Sequence, residues 1–179
     1  PGFTPTEWKF LVTDGTDESG AAYTRHDAVI LPRRRFTGPD ARFLTRLVAH
    51  ETTHVFTRLN PQRRDRLFSV LGFRRVGPVR LSPPLDRRRI TNPDAPTLEY
   101  VLRATAPGRG PCDMVLTTLS KSEQYSPRLG RHLFAYLETR LFSVETGQGG
   151  TPQAVGESLE DGFSTEAVSG FYEQIGRNT

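Results

Sequence analysis

Several residue types are scarce in this chain, and each scarcity excludes something. Among 179 residues there is 1 cysteine, 1 methionine and 1 tryptophan. A single thiol, Cys112, rules out an internal disulfide and fits a reducing compartment, so a cytoplasmic address is the default expectation. Lysine is almost missing: of 24 basic residues only Lys9 and Lys121 are lysine, which leaves 22 arginines. No run approaches the roughly 18 consecutive apolar residues that a membrane helix needs, so no membrane segment is expected. No signal peptide is visible. The sequence opens at Pro1 and stops at Thr179 without a closing element, and is expected to be a piece of a longer chain.

Hydrophobic residues make up 35% and charged residues 25%, the balance of an ordinary globular domain. The length suits one domain spanning 1–179. The net charge is +4, with arginine clusters at 33–35, 63–66, 74–75 and 87–89. A nucleic-acid surface would interleave aromatic residues with the basic ones or carry a reader motif. Neither is present, so nucleic acid is not an expected partner and the arginines read as solvated surface.

The pattern along the chain reads as α+β, a central helix packed against a small sheet, with further helices in the second half. Trp8–Val12 and Tyr23–Leu31 read as strands. Thr37-Gly38-Pro39-Asp40 is a helix start, and Phe43, Leu44, Leu47, Val48, Val55 and Leu59 recur at steps of three and four, as one buried stripe requires. Asn60-Pro61 ends that helix. A shorter helix is expected over Arg64–Leu71, capped by Gly72. Val76–Leu81, Leu98–Ala104 and Met114–Thr118 are candidate strands. Ser126-Pro127 reads as another helix start, with Leu129, Leu133, Tyr136, Leu137 and Leu141 on a helical period behind it. Thr91–Pro96 and Gly147–Gln153 read as turns. A last helix is expected from Thr165 to about Ile175, with Ser164 as N-cap.

The chemistry lies in His50-Glu51-Thr52-Thr53-His54. Residues four apart share a helix face, so both imidazoles can meet one ion at about 2.0–2.1 Å. Glu51 leaves the helix on an adjacent face, where it can reach a water on that ion without being a ligand. Zn2+ would polarise that water and the scissile carbonyl, and Glu51 would carry the proton to the leaving amine. Neutral imidazoles are required, so activity should fall in mild acid. With 4 histidines in the chain, chance gives such a match in roughly 0.5% of chains. Both histidines also extend the apolar series Phe43–Leu47, and packing alone gives no reason for imidazoles there.

The stretch Leu47-Val48-Ala49-His50-Glu51-Thr52-Thr53-His54-Val55-Phe56 resembles the active-site helix of zincin metallopeptidases. The resemblance covers roughly Ala28–Leu59. It implies a zinc-dependent peptidase acting on peptides or proteins, with Zn2+ on His50 and His54 and Glu51 as general base. It also implies an upstream antiparallel edge strand that binds substrate by strand addition, a place that Ala28-Val29-Ile30-Leu31 is expected to fill. Thr57 and Asn60 stand where metzincins have glycine and histidine, and Met114, in a candidate strand, gives no Met-turn. Gly150-Thr151-Pro152-Gln153 lacks the acid of the Asp-ligand class, and Cys112 lies downstream of the motif, unlike the cysteine ligand of peptide deformylases. The gluzincin type remains, with a glutamate on a later helix as third ligand. Glu166 is the best candidate within the chain, ahead of Glu157, Glu160 and Glu173, with His26 and His132 as nitrogen alternatives. A glutamate beyond Thr179 is the other option. Two further readings stay open: a zinc-dependent hydrolase of a non-peptide amide, and a basic binding module whose motif is not catalytic.

Overall fold

The computed structural model describes residues 7–38, 40–91, 97–124, 127–130 and 133–168. The protein is α+β, and the described residues form three α-helices and two sheets. It divides into two compact units, Pro1–Arg64 with Asn92–Asp94, and Asp65–Thr91 with Ala95–Thr179.

Unit one holds a three-stranded sheet in the order β1-β3-β2. β1 (Lys9–Thr13) runs parallel to β3 (Ala28–Pro32), and β2 (Tyr23–Arg25) runs antiparallel to it. The single strand expected over Tyr23–Leu31 is therefore a hairpin. His26 and Asp27 form its turn, and His26 takes φ 51°, a left-handed conformation that a two-residue reversal demands. Ala28-Val29-Ile30-Leu31 is not an edge strand: β3 sits between the other two and every residue in it is buried. Its continuous apolar run is the mark of a strand covered on both faces. The outer strands of this sheet are β1 and β2.

α1 (Ala41–Leu59) begins as the sequence predicts: Asp40 is its N-cap and accepts the Arg42 N–H at 2.9 Å. Asn60 closes it through the Phe56 carbonyl, and α2 (Pro61–Val70) follows at once. Val55 packs with Val29 and Leu31, joined by Trp8, Ala22, Leu47 and Val48. The expected buried stripe is shorter than its period: Phe43 is 43% and Leu59 54% exposed. The reason is length. A 19-residue helix spans about 28 Å, whereas a five-residue strand spans about 17 Å, so both ends of α1 overhang the sheet.

Unit two is built on a five-stranded antiparallel sheet in chain order: β4 (Phe73–Arg75), β5 (Tyr100–Thr105), β6 (Pro111–Ser120), β7 (Leu137–Thr146) and β8 (Pro152–Ala154). Both faces are covered. Val101, Val115 and Phe142 join Leu85 of α3 (Pro83–Arg88), Val79 and Leu159 in one cluster. Their neighbours in sequence, Leu102, Met114 and Leu141, face the other way and pack with Phe73, Phe163 and Val168. In α2, the Phe68 ring stands edge-on to Tyr100, whose hydroxyl donates to Asp65.

Of the further helices expected in the second half, the one behind Ser126-Pro127 gives way to strand from Leu137 on. Leu137 to Leu141, read as helix, begin β7, which pairs with β6 from Leu137↔Ser120 to Ser143↔Met114. Before it the described residues form short 3-10 turns at Pro127–Leu129 and Leu133–Ala135. Val76–Leu81 is not a strand either. Gly77 takes φ 84° and Pro78 lacks an N–H, so only Arg80 bridges, to Gln153. The last helix starts as a single 3-10 turn, Thr165–Ala167, with Ser164 accepting the Ala167 N–H, and Val168 is already extended. The remainder of that expected helix, and most of Thr91–Pro96, lie outside the described residues. Gly147–Gln153 does contain a turn, the β7–β8 loop, with Gly149 and Gly150 at positive φ.

Candidate metal centre

α1 brings His50 and His54 together. Their Nε2 atoms lie 3.0 Å apart, with ring centroids at 4.6 Å and planes at 84°. Two imidazoles on a tetrahedral zinc at about 2.05 Å each would place their nitrogens roughly 3.3 Å apart. The observed separation is a few tenths of an ångström shorter than that spacing.

The intervening threonines are tied to the helix itself. The Thr52 hydroxyl donates to the Val48 carbonyl at 2.8 Å and Thr53 to Ala49 at 2.8 Å. Thr57 donates to the His54 carbonyl at 3.1 Å. Such back-bonding fixes stiff, branched side chains and leaves the imidazoles their own face.

The histidines do not continue the buried stripe. His50 is exposed and His54 is half-buried, whereas Glu51 is 4% exposed, in line with Leu47 and Val55 on the side of α1 that faces the sheet. One residue advances a helix by about 100°, so neighbours in sequence are sent to different surroundings.

Arg58 is a residue that the sequence did not single out. One turn beyond His54, its guanidinium donates to the His26 carbonyl and to the Thr24 hydroxyl, each at 2.6 Å. This two-point contact fastens α1 to both the outer strand β2 and the turn behind it, and Thr24 is fully buried. An arginine in a last helical turn signals only a favourable dipole interaction. The turn carbonyl it reaches is invisible in the sequence.

The other candidates are dispersed in their roles. Glu166 stands in unit two, exposed in its 3-10 turn. Its own N–H, then the Thr165 hydroxyl, hold its carboxyl below the usual range. Glu157 precedes the 3-10 turn Leu159–Asp161, and Glu160 lies within it. Among the described tyrosines, Tyr23 donates to Asp17 at 2.5 Å, a bond that raises its phenol above the ordinary range. Tyr136 donates to the Gly130 carbonyl at 3.1 Å. Tyr125, Tyr172, His132 and Glu173 lie outside the described residues. Among the described residues no group of three His, Cys, Asp or Glu side chains forms a complete ligand set. No helix of the described residues is long and apolar enough to cross a membrane.

Comparison with protein-family models, with curated proteins and with solved structures found no match to this chain.

Proposed function

We propose that the chain carries the metal-binding and catalytic helix of a zinc-dependent peptidase of gluzincin type. The observation that carries this reading is the 3.0 Å convergence of the His50 and His54 Nε2 atoms on one face of α1, with Glu51 buried on the neighbouring face. Two neutral imidazole nitrogens suit Zn2+ in ligand type and spacing. The reading includes a third protein donor, either Glu166 or a glutamate beyond Thr179. When bound, the ion supplies a polarised water and a Lewis acid for a peptide carbonyl.

In this proposal His50 and His54 orient the site through their Nε2 atoms. Glu51 takes the proton of the attacking water on its carboxylate and returns it to the leaving nitrogen. An extended peptide would lie along β2, the antiparallel outer strand, whose distance from α1 Arg58 fixes.

The test is zinc content and peptide cleavage, measured on the native chain, on His54→Ala and on Glu51→Gln. The expected result is about one zinc per native chain, loss of the metal in His54→Ala, and retained metal without cleavage in Glu51→Gln. Normal cleavage by Glu51→Gln would remove the assigned base. Bound zinc with no cleavage of an unbiased peptide library would move the reading to a non-peptide amide.

A further inference from the structure

The exposed side of α1 carries a second pattern, which runs from the histidine pair back towards the start of the helix. Arg42, Phe43, Arg46 and His50 are all exposed. Arg42, Arg46, His50 and His54 follow one another at steps of four, and Phe43 lies three residues before Arg46 and seven before His50. Such spacings place them on one continuous face. The half-buried Arg35 reaches that face from the turn before the helix: its guanidinium carbon lies 6.0 Å from the centre of the Phe43 ring. Three guanidinium groups and a phenyl ring thus stand on the N-terminal side of His50, all within unit one.

Helix stability does not explain this arrangement. The first turn of α1 holds Arg42 and no acid, the reverse of what the helix dipole favours. Arg42 and Arg46 are a like-charge pair one turn apart, and such pairs weaken a helix. No Asp or Glu occurs from Ala41 to His50 to offset them. The acid just before, Asp40, is engaged as N-cap by the Arg42 N–H. Departures from local preference of this kind gather at functional sites. Each of them also strengthens the attraction that an anion meets there.

We infer that the Arg42–Arg46 face binds a carboxylate of a peptide, so that the peptidase proposed above acts on acidic peptides. The carboxylate site stands on the arginine pattern; its being a substrate site rests on the zinc-peptidase reading. A guanidinium donates two parallel N–H bonds to a carboxylate. The Phe43 ring beside it offers apolar surface to the aliphatic stem of an aspartate or glutamate. The Cβ atoms of Arg46 and His50 are about 5–6 Å apart by helix geometry, and an extended peptide advances about 3.3 Å per residue. A carboxylate within a few residues of the group held at the histidine pair is therefore in reach of Arg46. It can be an acidic side chain or the C-terminus of the peptide. A nucleic-acid strand stacks on rings in succession, and α1 presents one ring on this face.

The test is binding of short blocked peptides to the isotope-labelled chain at about physiological ionic strength, followed by amide chemical shifts, with zinc content measured on the same samples. The peptides share one sequence with Glu, Gln or Lys at its centre, and the Gln peptide is also made with a free C-terminus. The expected result is saturable shifts at the amides of residues 42–50, with the Glu peptide or the free acid bound about tenfold or more tightly than the blocked Gln peptide. Whichever of the two binds tightly identifies the source of the carboxylate. Arg42→Ala with Arg46→Ala should erase that ratio. Arg46→Glu should reverse it in favour of the Lys peptide, a reversal that loss of structure does not produce. Equal affinity for all the peptides, an unchanged ratio in the double variant, or tighter binding of a single-stranded oligonucleotide at the same amides would each overturn the assignment. The carboxylate preference without zinc would remove the peptidase reading and leave the site. Zinc and cleavage without the preference would remove the site and leave the peptidase.

Discussion

Glu51 and Val55 are separated by the same four residues as His50 and His54, yet the first pair is buried and the second opens towards solvent. Glu51→Gln should therefore be close to isosteric in its packed setting. Zinc should be retained and turnover should fall by roughly 10²-fold or more, the scale of a lost general base; a single-turnover assay with metal analysis checks both. Arg58 acts at a distance from that chemistry. Arg58→Ala removes two hydrogen bonds from a charged donor and should destabilise unit one by about 1.5–3 kcal/mol, read as a shift in denaturation midpoint. Arg58→Lys, unable to reach both oxygens, should recover only part of that loss. Asp161 offers a test in pH. The Glu157 and Ser158 N–H groups lower its carboxyl pKa. A lowered folded pKa means that its contribution is complete above the unfolded value, about 3.9, and is lost as pH falls through the folded value. Hydrogen exchange at Glu157 and Ser158 should accelerate only below about pH 4, and Asp161→Asn should remove that acid step.

The elements show why some of the fold could be read and some could not. α1 was legible because its local signals agree with its packing: a cap at Asp40, a period of three and four, and a stop at Asn60-Pro61. β7 was not. Leu129, Leu133, Tyr136, Leu137 and Leu141 satisfy a helical period, but from Leu137 to Ser143 the chain pairs with β6. Leu141 and Phe142 are both fully buried, on opposite faces, so the strand shows no alternation of apolar and polar residues that a reading of its sequence could detect. The pairing partner, Leu116 for Leu141 and Val115 for Phe142, lies more than twenty residues away. Tertiary contact outweighs local period there. The same limit applies to the site. The spacing of His50 and His54 follows from helix geometry, whereas the hold of Arg58 on Thr24 depends on a hairpin whose turn had been read as strand. A strand at β7 makes its own prediction: Leu141→Ala should cost about 2–5 kcal/mol, because it opens a cavity beneath Met114 and Val168 in a fully covered layer. A solvent-facing helix would lose far less.

At the scale of the whole molecule, the two units carry separate cores. Val29, Leu31 and Val55 belong to one, and the paired clusters around Phe142 and Met114 belong to the other. Two of the three side chains that occur once each in the chain are divided between them. Trp8 packs against the first core, and Cys112, its sulfur 3.6 Å from the Ser143 hydroxyl, packs against the second. The molecule thus has one optical and one chemical reporter, each native and each confined to one unit. Indole emission during denaturation follows unit one, and the rate of thiol alkylation follows the opening of unit two. Coincident midpoints would mark a single cooperative transition, and separated midpoints would mark two. Added zinc should raise the emission midpoint and leave the alkylation midpoint in place if His50 and His54 alone hold the metal. With separate midpoints, a shift of both would report a ligand contributed by unit two, where Glu166 resides.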